Sequence, residues 1–178
     1  MSRQVHIDVM LHQKNKLNFM NIIGNKHEFA VEYRIADNKK MLGYGKLWIQ
    51  NSFYGTSKDL IHLNGYLIPL IENILEASTL KIDLNNFEKE KLFEKLKNES
   101  TKTSKYLIRS STFTDDFNGY KFKSGEEIIL IWQINKDSEV VFEDLKNYSE
   151  SVILKKMNYM TGKIILDELK EKIKKARA

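Results

Sequence analysis

From Glu28 to Ile35 the chain reads EFAVEYRI, with Phe29, Val31, Tyr33 and Ile35 alternating against Ala30, Glu32 and Arg34. A period of two is that of a strand with one buried face. ADNKK then supplies a polar turn, and MLGYGKLWIQ from Met41 resumes extended character, so the two runs predict a β-hairpin whose loop exceeds two residues. The stretch GYGKLWIQNSFYGT holds three of the eight glycines and four aromatic rings. It reads as a strand bent at Gly43 and Gly45, with its rings packed under a helix, ending in a glycine turn.

The period changes after Ser57. Leu60, Ile61, Leu63, Leu67, Leu70, Ile71, Ile74 and Leu75 recur at helical spacing, with Ser57 as a candidate N-cap. Pro69 falls inside this run, which predicts two helical pieces, Lys58–Tyr66 and Pro69–Ser78, or one kinked helix. Asn86–Asn98 is amphipathic, with Phe87, Leu92, Phe93 and Leu96 on one stripe. Glu99–Ser104 is a loop by composition. Strands are expected at Lys105–Ser110, Gly119–Lys123 and Glu127–Ile134, the last apolar enough for a sheet centre. A turn at Asn135–Asp137 leads into Glu139–Glu143 (EVVFE), giving a second hairpin. Tyr148–Met160 fits either strand or helix. Lys163–Arg177 predicts a terminal helix with Ile164, Ile165, Leu169 and Ile173 inward. Strands, helices, strands and a final helix imply an α+β fold, a mostly antiparallel twisted sheet with helices packed against it, in one domain over residues 1–178.

Composition narrows the chemistry. The 42% hydrophobic and 30% charged content is that of a globular protein, and zero cysteines remove disulfides, thiolate nucleophiles and cysteine-bound zinc. No apolar run is long enough to cross a bilayer, and the first residues lack a secretory core, so the cytoplasm is the expected address. The four histidines, His6, His12, His27 and His62, never fall at the spacing of HExxH, so no metal site is expected. Neither GxxxxGK[ST], GxGxxG nor GxSxG is complete, and neither cofactor nor catalytic residue is nominated. Tyr44, Trp48, Phe53 and Tyr54 lie among Lys39, Lys40, Lys46 and Lys58, a composition that an RNA or single-stranded-DNA platform shares with an ordinary core.

Charge is segregated. The net +5 hides a block from Asp115 to Glu150 with nine acids and four lysines, leaving +10 on the remainder.

The order EFAVEYRI, polar turn, MLGYGKLWIQ, then FYGT leading into a leucine-rich segment, resembles one group of bacterial polymorphic-toxin immunity proteins, the group numbered forty-two. EEIILIWQ followed by a turn and EVVFE is also similar to that family. The resemblance implies a non-catalytic binder made in the same cell as a toxin, often the C-terminal domain of a contact-dependent inhibition protein. It would block that toxin through a tight, 1:1 protein–protein contact, without touching nucleic acid or membrane itself. Many such toxins are nucleases with basic surfaces. Under that implication the acids Asp115, Asp116, Asp137, Glu139, Glu143 and Asp144 form the toxin interface by charge complementarity. Two other readings stand beside it. These acids solvate two hairpin turns, or the polarity is reversed and a basic face meets an acidic toxin.

Overall fold

The structure is a computed structural model and describes residues 19–80, 88–98, 103–109, 111–135 and 142–177. Two antiparallel sheets carry the fold. The first has the order β1 (Asn21–Gly24), β2 (Phe29–Asp37), β3 (Leu42–Ile49), β4 (Ser52–Tyr54), with the short β5 (Ile61–His62) pairing the far end of β3. The second has the order β6 (Phe117–Ser124), β7 (Glu127–Ile134), β8 (Ile153–Asn158). Helices α1 (Ile68–Leu75), α2 (Lys89–Asn98) and α3 (Tyr159–Arg177) cover them.

The expected β2–β3 hairpin is present, with turn residues 38–41 and the register Phe29↔Ile49 through Ile35↔Gly43. A second hairpin follows at once. Gln50 and Asn51 both take positive φ, 47° and 64°, and Ile49 pairs Ser52 across them. Two consecutive left-handed residues match the right-handed strand twist, which is why so tight a loop closes here.

Alternation along β3 corrects the expectation for its rings. Gly43, Gly45, Leu47 and Ile49 face the helices, while Tyr44, Lys46 and Trp48 face the other way. The glycines are needed where Leu63 and Leu67 press on the strand: a Cβ on Gly43 would lie 2.9 Å from Leu63 Cδ1, and one on Gly45 2.8 Å from Leu67 Cδ2. Glycine, not aromatic surface, meets the helical layer.

The helical spacing after Ser57 is only half realised. Residues 57–59 bend, Ile61–His62 form β5, and Leu63–Leu67 make one wide π-type turn before α1. Pro69 lies in the first turn of α1, where its missing N–H has no intrahelical acceptor to satisfy. It starts the helix rather than breaking one. Lys105–Ser110 is not a strand either: Ser104–Tyr106 form a 3₁₀ turn, and a single bridge joins Leu107 to Tyr120. Ser110 lies outside the described residues, as do residues 86–87 at the expected start of α2.

β7 matches its expected span. Ile128, Leu130 and Trp132 face a core shared with the first sheet, α1 and α3; Ile129 and Ile131 face a second cluster built on Leu92, Phe93 and Leu96 of α2. Burial on both faces explains its unbroken apolar run. Its partner beside β6 is β8, which settles Tyr148–Met160 in favour of a strand at Ile153–Asn158. Residues 139–141 of the expected EVVFE strand lie outside the described residues, and Phe142 and Glu143 belong to a bend and turn. In α3 the inward face holds Ile165, Leu166, Leu169 and Ile173, whereas Ile164 is 62% exposed.

Candidate functional site

Two acid-bearing segments, far apart in sequence, meet at the turn that follows β4. Gly55 turns the chain with φ +90°, and a Cβ there would meet the ring and the carbonyl oxygen of Phe113 at 3.0 and 3.1 Å. Next to it Thr56 is fully buried. Its N–H donates to Phe113 O (2.8 Å), and its hydroxyl donates to Asp144 Oδ1 (2.6 Å). Segment 113–117 and segment 142–148 are thereby tied to one residue.

Asp144 anchors the second segment. Its Oδ2 accepts from Ser57 N (3.0 Å) and Ser57 Oγ (3.1 Å), and Lys46 Nζ stands 3.5 Å away. Burial alone would raise the Asp144 carboxyl, but the bonds from Thr56 and Ser57 and the Lys46 charge outweigh it and hold the group below its ordinary value. Tyr148 completes the anchorage: its hydroxyl donates to Phe53 O and accepts from Trp132 Nε1 at 2.8 Å, while its ring meets Phe53 and Phe117 edge-on at 4.8 and 5.1 Å.

The outer face of the first sheet continues this layer. Glu32 Oε2 accepts from Lys26 Nζ (2.6 Å) and Trp48 Nε1 (2.7 Å). Lys26 stands 4.1 Å over the Trp48 ring, Lys46 4.2 Å over Phe53, and Arg34 4.5 Å over Tyr44. These rings, expected either in a core or as a stacking platform, lie half-buried against cations of their own chain. Burial pushes the Glu32 carboxyl up, yet its bonds to Lys26 and Trp48 bring it below the ordinary range.

The six expected interface acids therefore divide by environment. Asp115 and Glu143 are exposed, the latter 2.7 Å from Lys146. Asp116 is nearly buried, and that burial, with the neighbouring Asp115 charge, pushes its carboxyl up. Asp144 faces inward. Asp137 and Glu139 lie outside the described residues. A cleft of about 280 Å³ opens beside Asp144, walled by Asn51, Ser52, Phe53, Asn147 and Tyr148. Its walls offer amides, hydroxyls and rings suited to gripping a side chain.

Thr56 and Lys46 are the residues that pattern reading missed as organisers. The only local signal is the glycine turn that places Thr56. His62 accepts from Gly65 N at 2.9 Å and closes the wide turn, and His27 is exposed; His6 and His12 lie outside the described residues. Among the described residues no three acidic or histidine side chains are gathered to hold a metal, and no helix is long and apolar enough to cross a membrane.

A family model described as Immunity protein 42 matches residues 20–172. The crystal structure of CdiI from Burkholderia dolosa AUO158 aligns with a TM-score of 0.56 over 85% of this chain and 99% of that one. At 11% identity that likeness is one of fold. No curated protein matches.

Proposed function

Because the chain belongs to the Immunity protein 42 family, whose members serve toxin neutralisation, we propose that it inhibits its cognate toxin domain by occlusion, in a 1:1 complex and without catalysis. The toxin is a nuclease. A nuclease must attract a polyanion and so carries a basic surface, to which an acidic inhibitor face is complementary. The observation that carries this reading is the convergence of the 113–117 and 142–148 segments on Thr56. Asp115 and Glu143 supply solvent-facing charge, while Asp144 and Tyr148 hold their segment rigid. Preorganisation lowers the ordering entropy that binding must overcome. Contact is made in the cytoplasm, before the toxin reaches nucleic acid.

The test is titration of the purified toxin domain with the wild type and with the D115K/E143K variant. The wild type is expected to bind tightly. The double reversal should slow association by about tenfold or more at low salt, since steering acts mainly on the on-rate. An unchanged rate would remove the acidic face from the interface.

A further inference from the structure

The segment that presents Asp115 has a second, oppositely charged end. Between the start of α1 and the residues Arg109, Ser111 and Thr112 lies a cleft of about 390 Å³, floored by Pro69 and Leu70 and rimmed also by Tyr66. Tyr66 is 43% exposed at its mouth, although a ring of that size is normally sheltered. Arg109 is exposed, and among the described residues no carboxylate lies within ion-pairing reach of it.

A second cation stands behind it. Lys121 on β6 is buried, and its Nζ donates to Asn73 Oδ1 (2.7 Å) and Leu107 O (2.8 Å), both neutral acceptors. Burial, then the Arg109 charge, push the amine down to about 8, against a smaller pull upward from Glu76. Asn73 Oδ1 also accepts from Arg109 N at 3.0 Å, so one side chain of α1 holds both the Arg109 backbone and the Lys121 ammonium. The cleft thus has the cationic side chain of Arg109 on one wall, hydroxyl donors at its rim and an apolar floor, with the buried Lys121 behind the wall. That combination fits the methylene stem and carboxylate of an Asp or Glu side chain.

We propose that this cleft is the positive half of a bipolar toxin interface and receives a carboxylate side chain of the toxin, an inference that rests on the toxin-binding reading above. Ser111 and Thr112 of the cleft lie on the same segment as Asp115, so a toxin whose basic surface meets Asp115 is within reach of the cleft. Paired patches of opposite sign fix register and reject partners whose charges are reversed, which a uniformly acidic face cannot do.

The experiment measures toxin affinity for full-length wild type, R109Q, R109E and D115K, with melting temperature checked for each. R109Q should weaken binding by about tenfold and R109E by about a hundredfold, with the fold intact because Arg109 is exposed. An Asp or Glu to Lys change on the toxin that restores affinity to R109E identifies the carboxylate. If R109Q and R109E bind like the wild type while D115K binds weakly, the cleft assignment fails and toxin binding through the acidic face survives. Inorganic phosphate that binds wild type but not R109Q, with toxin affinity equal in both, marks a small-anion site and also overturns it. Wild type that fails to bind the toxin overturns both readings.

Discussion

Asp144→Ala removes one carboxylate that joins two loops to the sheet. Three donors lose their acceptor: Thr56 Oγ1 at 2.6 Å, Ser57 N at 3.0 Å and Ser57 Oγ at 3.1 Å. Lys46 loses its counter-ion at 3.5 Å, and the two side chains are only 10% and 14% exposed, so the ammonium is left largely buried. At an effective dielectric of about 20 the bare attraction at that distance is about 5 kcal/mol, most of it offset by desolvation. Breaking one side of such a pair typically costs about 3–5 kcal/mol, because the remaining charge stays buried. That is a large share of an ordinary domain stability of about 5–15 kcal/mol. Asp144→Asn should recover little, since its amide nitrogen would face further donors. Urea denaturation at pH 7 reads the difference directly. The Asp144 carboxyl is held low in the fold, so its contribution is present above the ordinary carboxyl pKa and is lost as pH falls through the folded value. The gap between wild type and Asp144→Ala should therefore close in acid. A cost below about 1 kcal/mol at pH 7 would refute Asp144 as the anchor of segment 142–148.

Gly55→Ala places a Cβ against Phe113 at a residue with φ +90°, so a loss of about 3 kcal/mol is expected, again by urea denaturation. Asp116→Asn carries the opposite sign. The folded carboxyl titrates above its ordinary value, so ionisation opposes folding at pH above the folded pKa, and that opposition disappears below the unfolded one. The variant should be the more stable at neutral pH, with the gain gone in acid; a loss at pH 7 would contradict it. Trp48→Phe keeps a ring beside Phe53 but loses the 2.7 Å bond to Glu32, with an expected cost of about 1–2 kcal/mol by thermal melting.

Legibility in the sequence follows how local each cause is. EFAVEYRI and EEIILIWQ were readable because face burial is written in the residues themselves: one buried face alternates, two buried faces run continuously. Ser57–Leu75 misled because apolar residues at helical intervals also suit a short strand followed by a wide turn. There β5 pairs Ile61 with Gly43 across β3, a long-range choice that spacing does not encode. Ile164 was drawn inward by its neighbour Ile165, yet a helix turns about 100° per residue, and the face set by Ile165, Leu169 and Ile173 passes it by. The acids of the candidate face could be listed from sequence. Which of them point outward depends on Thr56, 88 residues from Asp144, and no local pattern announces that pairing.

Inhibition stoichiometry bears most directly on neutralisation by binding. A fixed concentration of the cognate toxin domain, titrated with this protein, should lose activity linearly and reach zero near one equivalent. Denaturing and refolding the isolated toxin should then restore its activity in full. Permanent inactivation of the toxin by a small fraction of an equivalent would mean that the protein acts as a catalyst, and the account of it as an occluding partner would be wrong.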